Sequence, residues 1–510
     1  MSGIILGERR VSHEALLDRA ARAAAGFRSV KIGAGDTVLV LLRNDFAFLE
    51  ASLAAGLVGA HPVAGNWHWT AAEVAYIVAD AQPRAIVVHA DMLEAFAPAL
   101  PRDVTLLVAT TPPEIAEAYG AAAGLGALPP GARSWDDWIE SHAPLAQATA
   151  EPASTIIYTS GTTGKPKGVR RQPPTAEQSR AATEIIGKAY GLRAEEGLVT
   201  LVAAPLYHSA PNTQGLFGVK VGATLVLEPR FDAERMLRLI ERWRVTHLYA
   251  APIMFVRLLQ LPREVREKYD LSSLQFVVHA AAPCPVEVKR AMIDWWGPVI
   301  HEFYGSTETR AVTCCTAEEW LQRPGTVGRA IEGAVVRVVD ENGQDQPPGV
   351  PGEVLSRHWD VADFTYQNDD AKRRAMERFG LLSVGDVGYL DEDGYLFLCD
   401  RSSDMIISGG VNIYPAEIEA ALLQVSGVED CAVFGAPDAE YGEAVVAVVQ
   451  PLDNVELDAD VLRAELRARI AGYKVPRRID FAQELPREDS GKIFKRKLKE
   501  SYWRDTGRRI

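Results

Sequence analysis

Cysteine is scarce in this chain. Five residues in 510, Cys284, Cys314, Cys315, Cys399 and Cys431, show neither the paired spacing of a zinc site nor an even disulfide framework. The adjacent Cys314 and Cys315 read as packing residues, and the low count predicts a reducing, cytoplasmic setting. No apolar run approaches the roughly 18 residues of a membrane span, and the first ten residues lack the apolar stretch of a secretory signal. The ten histidines are scattered, with no His-x-x-x-His pair to hold a metal on one helix face. Positive charge is also in deficit: 54 Lys and Arg against 68 Asp and Glu give a net charge of −14. That argues against nucleic acid as a partner and leaves anionic ligands to local basic patches.

What remains is ordinary globular composition in a chain long enough for at least two domains, without an internal repeat. The densest chemical signal is Tyr158-Thr-Ser-Gly-Thr-Thr-Gly-Lys-Pro-Lys-Gly-Val169, with three glycines, four hydroxyl residues and two lysines. It follows a strand-like run, Thr155–Tyr158. Glycines let backbone N–H groups close on an anion, and the hydroxyls and lysines add donors and charge. The Walker loop is excluded: Gly161 and Gly164 are too close, and Pro166 stands where a hydroxyl should follow Lys165 and disfavours a helix there. The pattern reads as a mobile polyphosphate-gripping loop of another kind.

Strand-like and helix-like segments alternate through the first two-thirds, which predicts an α/β fold with a mostly parallel sheet covered on both faces. Strands are expected at 36–42, 84–89, 104–110, 199–203, 223–227, 246–250, 274–279 and 299–303. Helices are expected at 46–57, 233–243 and 285–296, with Pro285 in the first turn of the last. Residues 121–135 read as a loop. Unusual sequences follow four of the strands: the glycine-rich loop, Pro205–Ser209, Ala280–Pro283 and Tyr304–Glu308. Ligands of open α/β sheets bind beyond the carboxyl ends of strands, so these loops are expected to converge on one cleft. From about residue 325 short strands with Gly, Asp and Asn turns predict a small β subdomain. A polar hinge at 401–404 then leads to a compact α/β unit whose helix opens at Pro415. The expected architecture is a large N-terminal domain, 1–400, of stacked α/β sheets with the small β subdomain, hinged to a small, mobile α+β domain, 401–510.

In order along the chain, Tyr158–Val169, Tyr304-Gly-Ser-Thr-Glu308, Ser383-Val-Gly-Asp386, Asp400-Arg401, Ile407-Ser-Gly-Gly410 and Leu485-Pro-Arg-Glu-Asp-Ser-Gly-Lys492 resemble the motifs of the adenylate-forming superfamily of acyl-CoA synthetases, nonribosomal adenylation domains and luciferases. The resemblance covers nearly the whole chain. It implies ATP, Mg²⁺ and coenzyme A as ligands, with a small carboxylic acid as substrate. Thr159, Ser160, Gly161, Thr162, Thr163, Gly164 and Lys165 would grip phosphate, Tyr304 would stack on adenine, Asp386 would accept the ribose hydroxyls and Arg401 would pair with the nucleotide. Glu308, with Thr163, would hold the metal, and Thr307 would donate to a phosphate oxygen. Lys492 would be the mobile catalytic lysine, placing an ammonium between the attacking carboxylate and the α-phosphate. Ser408, Gly409 and Gly410 would line a pantetheine tunnel, with Tyr441, Lys474 and Arg477 meeting the rest of coenzyme A. Ser403 stands at the hinge position where the family usually has Asp or Lys.

The same resemblance places Tyr207, His208, Ala280, Ala281, Ala282 and Gly305 around the acid. No carboxylate occurs near Tyr207-His208 before Asp232, which argues against an amino-acid substrate. The run of small alanines leaves room for a bulky steroid, terpenoid or aryl acid, with a fatty acid, a carrier-protein acceptor or a catalytically silent binding relative as alternatives. No carrier domain is expected after residue 510. The protein is expected as a monomer or homodimer.

Overall fold

A computed structural model describes residues 2–148, 153–159, 166–401, 404–408, 411–438, 440–487 and 493–503, the side chain of Arg401 excepted. Two large sheets organise the first part of the chain. In the eight-stranded sheet the order is Phe364–Tyr366, Lys167–Arg171, Ile156–Thr159, His61–Ala64, Thr37–Leu41, Ala85–His89, Thr105–Ala109 and Arg133–Ser134. In the nine-stranded sheet it is Arg329–Ala330, Arg310–Cys315, Ile300–Ser306, Phe276–His279, His247–Ala250, Val199–Val202, Thr224–Leu227, Gly3–Leu6 and Arg9–Ser12. Both are parallel through their centres, and antiparallel pairings appear only toward the edges.

The sheets are joined through one core. The helix Phe46–Leu57 is apolar around most of its circumference and is buried between them, packed with Leu39, Leu41, Val202 and Leu227. Its one carboxylate, Glu50, is held by Arg19 at 2.6 Å and by the Trp135 indole at 2.8 Å, so the buried charge is compensated. Ala233–Trp243, Pro252–Gln260 and Val286–Trp296 cover the far face of the nine-stranded sheet.

The stacked sheets are as expected, and the four loops come from both of them. Two expectations change. Pro285 is the residue before the helix Val286–Trp296 rather than its first turn. The strand expected to stop at Phe303 runs on as Ile300–Ser306 and turns back into Arg310–Cys315, so Tyr304 and Gly305 are strand residues. Gly305 makes this hairpin possible, because a Cβ there would stand 1.8 Å from the Arg310 carbonyl oxygen.

The small β subdomain is a five-stranded sheet of Ala334–Val339, Gly352–His358, Leu381–Leu390, Glu377–Arg378 and Leu396–Arg401. A separate sheet carries Val411–Ile413, Ile406–Ser408, Gly442–Pro451, Val428–Asp438 and Arg478–Phe481. Pro415–Leu422 and Ala459–Arg467 pack on one face of it, and Lys495–Trp503 on the other. The basic end of the chain is partly structural: Lys495 pairs with buried Glu419 at 2.8 Å and Lys499 with Asp404 at 3.1 Å.

Beneath the strand that carries Tyr304 and Gly305 lies a buried charge pair. Lys289 Nζ stands 2.6 Å from Glu302 Oε2, and both side chains are buried. His279 Nε2 is 3.2 Å from the same oxygen, and burial lowers its proton affinity. Burial pushes the Glu302 carboxyl up, and His279 and Lys289 beside it outweigh this and hold it down to about 2. The pair therefore stabilises the fold above the ordinary carboxylate pKa of 4.5 and loses that contribution as pH falls toward 2. Lys289→Met leaves an uncompensated buried carboxylate and is expected to cost about 3–5 kcal/mol in urea unfolding at pH 7. The double variant Lys289→Met/Glu302→Leu should recover most of that loss and flatten the acid limb of the stability profile.

Candidate active site

A cleft of about 1950 Å³ opens where the strand ends of the two sheets meet the small domain. It is larger than a typical single-ligand pocket of roughly 300–1,000 Å³ and has room for a nucleotide and a second substrate. Thr159, Lys167, Pro205, Tyr207, His208, Ala281 and Gly305–Glu308 line it, so segments after all four expected strands do converge. Ser383–Gly385 come from the β subdomain, and Glu484–Arg487 and Phe494 from the C-terminal unit.

The glycine-rich loop itself, Ser160, Gly161, Thr162, Thr163, Gly164 and Lys165, lies outside the described residues, but both its ends are fixed. Thr159 pairs with Lys167 across an antiparallel ladder. The Tyr158 hydroxyl donates to Asp80 Oδ2 at 2.6 Å, and the Tyr76 hydroxyl donates to the Pro166 carbonyl at 3.1 Å. Both anchors belong to the helix Ala71–Ala81, which thus clamps the loop on each side. Burial, reinforced by Asp80, pushes the Tyr158 phenol far up, so it stays a donor. A strand follows the loop where a Walker motif needs a helix.

The Ser306–Arg310 turn is built on two hydroxyls: Ser306 Oγ accepts from the N–H groups of Glu308 at 3.1 Å and Thr309 at 3.0 Å, and Thr309 Oγ1 accepts from the Ser306 N–H at 3.0 Å. The Thr307 carbonyl accepts from Arg171 Nη2 at 2.5 Å, and Glu308 Oε1 accepts from the Tyr366 hydroxyl at 2.8 Å. Lys167 and Lys372 sit 6.0 and 5.9 Å from the centre of the Tyr366 ring. Among the described residues neither lysine nor Arg171 has a carboxylate in ion-pair contact, and the Lys167 ammonium is buried without a hydrogen bond. Burial, then the neighbouring Arg310, lowers the Arg171 guanidinium to about 9. Burial also lowers Lys372. In a chain of net charge −14 these cations, without an ion-pair partner among the described residues, stand by Tyr366 and Glu308.

Tyr304 and Asp386 are brought together, since the tyrosine hydroxyl donates to Asp386 Oδ2 at 2.7 Å. The Tyr304 ring differs from the expected open stacking face: it is buried with Val312, Val338, Val354 and Leu396 and is not part of the cleft wall. Asp386 is paired across the ladder with the backbone of Arg401, whose side chain is not described. Of the three alanines only Ala281, at φ +78°, lines the cleft; Ala280 is in the core and Ala282 is off the wall. Lys492 and Ser403 lie outside the described residues. Arg487 and Ile493, either side of the segment that includes Lys492, form an antiparallel bridge at the cleft edge.

The coenzyme A candidates group elsewhere. Ser408 pairs with Gly442, next to Tyr441, whose ring is covered by Arg477 at 4.0 Å. Arg477 also stands 3.6 Å from Asp438, and Lys474 pairs with Glu417 at 2.6 Å. None of the four lines the cleft, and Gly409 and Gly410 are outside the described residues. Sequence reasoning missed Asn66-Trp67-His68-Trp69, which lines the cleft, with Trp67 edge-on to Tyr207 at 4.5 Å. The signal was present as a cluster of rings after a short run, His61–Ala64, whose Pro62 hides a strand. Arg171, Tyr366 and Lys372 carry no motif and become visible only through the fold.

Two family models match in chain order, AMP-binding enzyme over residues 3–363 and AMP-binding enzyme C-terminal domain over residues 417–492. The indoleacetate–CoA ligase of Aromatoleum aromaticum is 33% identical over 508 residues, covering 98% of this chain and 94% of that protein. The "3-[(3aS,4S,7aS)-7a-methyl-1,5-dioxo-octahydro-1H-inden-4-yl]propanoyl:CoA ligase" of Rhodococcus jostii is 32% identical, covering 98% and 95%. The solved amide bond synthetase McbA of Marinactinospora thermotolerans has the same architecture, with a TM-score of 0.83, 26% identity, and coverage of 98% and 97%. With these matches spanning both the large part and the C-terminal unit, the chain belongs to the AMP-binding enzyme family, the adenylate-forming enzymes that include acyl-CoA ligases.

Proposed function

We propose that the protein is an AMP-forming acid–CoA ligase for a bulky carboxylic acid. In the first step the acid's carboxylate attacks the α-phosphate of ATP, giving an acyl-adenylate and pyrophosphate. In the second, the thiol of coenzyme A attacks the acyl carbon, giving a thioester and AMP. The observation that carries this reading is the cluster of Lys167, Arg171 and Lys372 by Tyr366 and Glu308, on and next to the strand that follows the glycine-rich loop in the chain. Carboxylate and triphosphate repel, and fixed cations in a cleft of reduced dielectric offset that repulsion as charge moves to pyrophosphate.

Glu308 suits Mg²⁺. Its Oε1 is oriented by Tyr366 and its Oε2 is left for a ligand. No group of three metal-ligating side chains occurs among the described residues, as fits an ion that takes most of its oxygens from phosphate and water. When bound, the ion would neutralise phosphate charge; the chain's residues orient and enclose the reactants. Thr159, the glycine-rich loop with Thr163, Thr307, Asp386 and Arg401 complete the nucleotide side of the reading. Lys492 is the ammonium of the first step.

The small domain, 401–510, is proposed to turn about Ser403 between the steps. The position of Tyr441, Arg477 and Ser408 away from the cleft supports this, because a thiol carried there needs a second orientation to reach the adenylate. The acid side of the cleft is broad and apolar, walled by Ile185, Ala189, Phe217, Tyr249 and Phe303 near Tyr207 and His208. That shape, and the indole and fused-ring acids in the names of two relatives, support a ring-bearing substrate.

The deciding experiment is a panel of aryl, steroid-derived, terpenoid and long-chain fatty acids assayed for pyrophosphate and AMP release, with coenzyme A, with a carrier protein and with an amine. Thioester formation on ring acids with coenzyme A is expected. Silence toward every acid, or an acceptor other than coenzyme A, overturns the reading. Lys492→Ala is expected to lower adenylation at least a hundredfold while sparing thioester formation from supplied acyl-adenylate. Equal losses in both steps would remove its role. Tyr158→Phe, which unties one end of the loop, should raise the KM for ATP several-fold with little change in thermal midpoint; an unchanged KM would show that the clamp is irrelevant to nucleotide binding.

A further inference from the structure

One of the cations that line the cleft stands beside its apolar wall. Arg310 opens the strand Arg310–Cys315 directly opposite Ser306 and lines the cleft. Its φ of +61° is the left-handed region, unusual for a residue with a long side chain. Its Nε is buried with no hydrogen-bond partner, and the guanidinium makes no ion pair with any described residue. Among the described residues its electrostatic neighbours are Arg171, His358 and the Tyr190 phenol, none of them a carboxylate. A guanidinium desolvated beside a second guanidinium, on a strained backbone, is costly for the protein alone. It is satisfied when a ligand brings an acceptor oxygen.

Arg310 shares Arg171 with the phosphate side, and its other neighbour, Tyr190, sets it toward the acid. Lys167, Lys372 and Arg171 gather around Glu308, where the triphosphate is read to lie. Tyr190 ends the helix Ala176–Tyr190, whose Ile185 and Ala189 form the apolar wall, and its ring packs 5.3 Å from Phe303. Arg310 thus belongs to the acid side.

We propose that Arg310 is a specificity residue: the acid carries, away from its reacting carboxylate, a second acceptor oxygen, a ketone or a further carboxylate, that this guanidinium binds. This rests on the ligase reading and narrows its substrate class to oxygenated ring acids. Hydrocarbon acids of the same size would leave Arg310 desolvated and unpaired, which is how a polar site rejects an analogue lacking the matching group.

The test uses three size-matched bicyclic acids, one purely hydrocarbon, one bearing a ring ketone and one a second carboxylate. They are compared on the wild-type chain, Arg310→Met and Arg310→Lys by acid-dependent pyrophosphate release. Acid binding without turnover is followed by tryptophan fluorescence, since Trp67 lines the cleft. The wild type is expected to favour one or both oxygenated acids about tenfold to a hundredfold in kcat/KM. Arg310→Met should erase that preference through the KM of the acid, with the KM of ATP unchanged, and Arg310→Lys should keep part of it. The acid that loses more in Arg310→Met identifies ketone or carboxylate. Equal wild-type kcat/KM on all three acids overturns the proposal. So does a loss in Arg310→Met that is uniform across acids and accompanied by a higher KM for ATP, which would place Arg310 on phosphate. If Arg310→Met unfolds, acid binding by Arg310→Lys and the wild-type preference decide alone. Failure of the wild type to release pyrophosphate with any acid overturns the ligase reading itself, and this inference with it.

Discussion

The cleft depends on positive charge that the protein does not neutralise. Lys167, Arg171 and Lys372 gather by Tyr366 and Glu308, and among the described residues they meet the Tyr366 and Phe364 rings and two backbone carbonyls. An aromatic face or a carbonyl attracts a cation without cancelling its charge, so the field stays available to an anion. A carboxylate partner for each would have made a more stable apoprotein and a weaker polyphosphate site. The net charge of −14 makes the contrast sharper: most basic side chains elsewhere are committed to ion pairs, such as Arg19 with Glu50 and Arg373 with Asp363.

Holding these cations without partners demands a rigid surround, and the topology supplies it. Arg171 is on the strand after the glycine-rich loop, Tyr366 is on the strand beside it, and Glu308 is in a hairpin of the other sheet. The Arg171 guanidinium ties the two sheets by donating to Thr307 of one and Ala362 beside the other. The helix Ala71–Ala81 fixes the loop at both ends, and Asn368 bonds to the Asp80 carbonyl at 2.7 Å, so the strand carrying Tyr366 is tied to the same helix.

Much of this was legible in the sequence, for a physical reason. Phe46–Leu57 and Ala233–Trp243 were read to the residue, because helical spacing of apolar side chains is a long signal. The α/β class and the convergence of strand-end loops followed from alternation alone. The hairpin after Ile300–Ser306 was missed because a glycine at 305 reads as a loop signal, whereas here it permits two backbones to touch. Tyr304 was assigned an open face because its burial comes from Val338 and Val354, strands distant in sequence that no local pattern couples to it. The His61–Ala64 strand, and with it Trp67, was lost to one proline.

The cations show a different limit. Arg171 and Lys372 look like surface residues in sequence, and nothing in their neighbours says otherwise. Their meaning lies in what is absent around them after folding, and an absence has no sequence pattern. The same holds for the small domain. Tyr441 and Arg477 stack on each other on a face turned from the cleft, while Glu484–Arg487 of the same domain line it. On the proposed two-step reaction, a domain that offers one surface to the cleft and keeps another outside it suits two successive encounters with one bound intermediate, which is why a turn of that domain is proposed rather than a fixed arrangement.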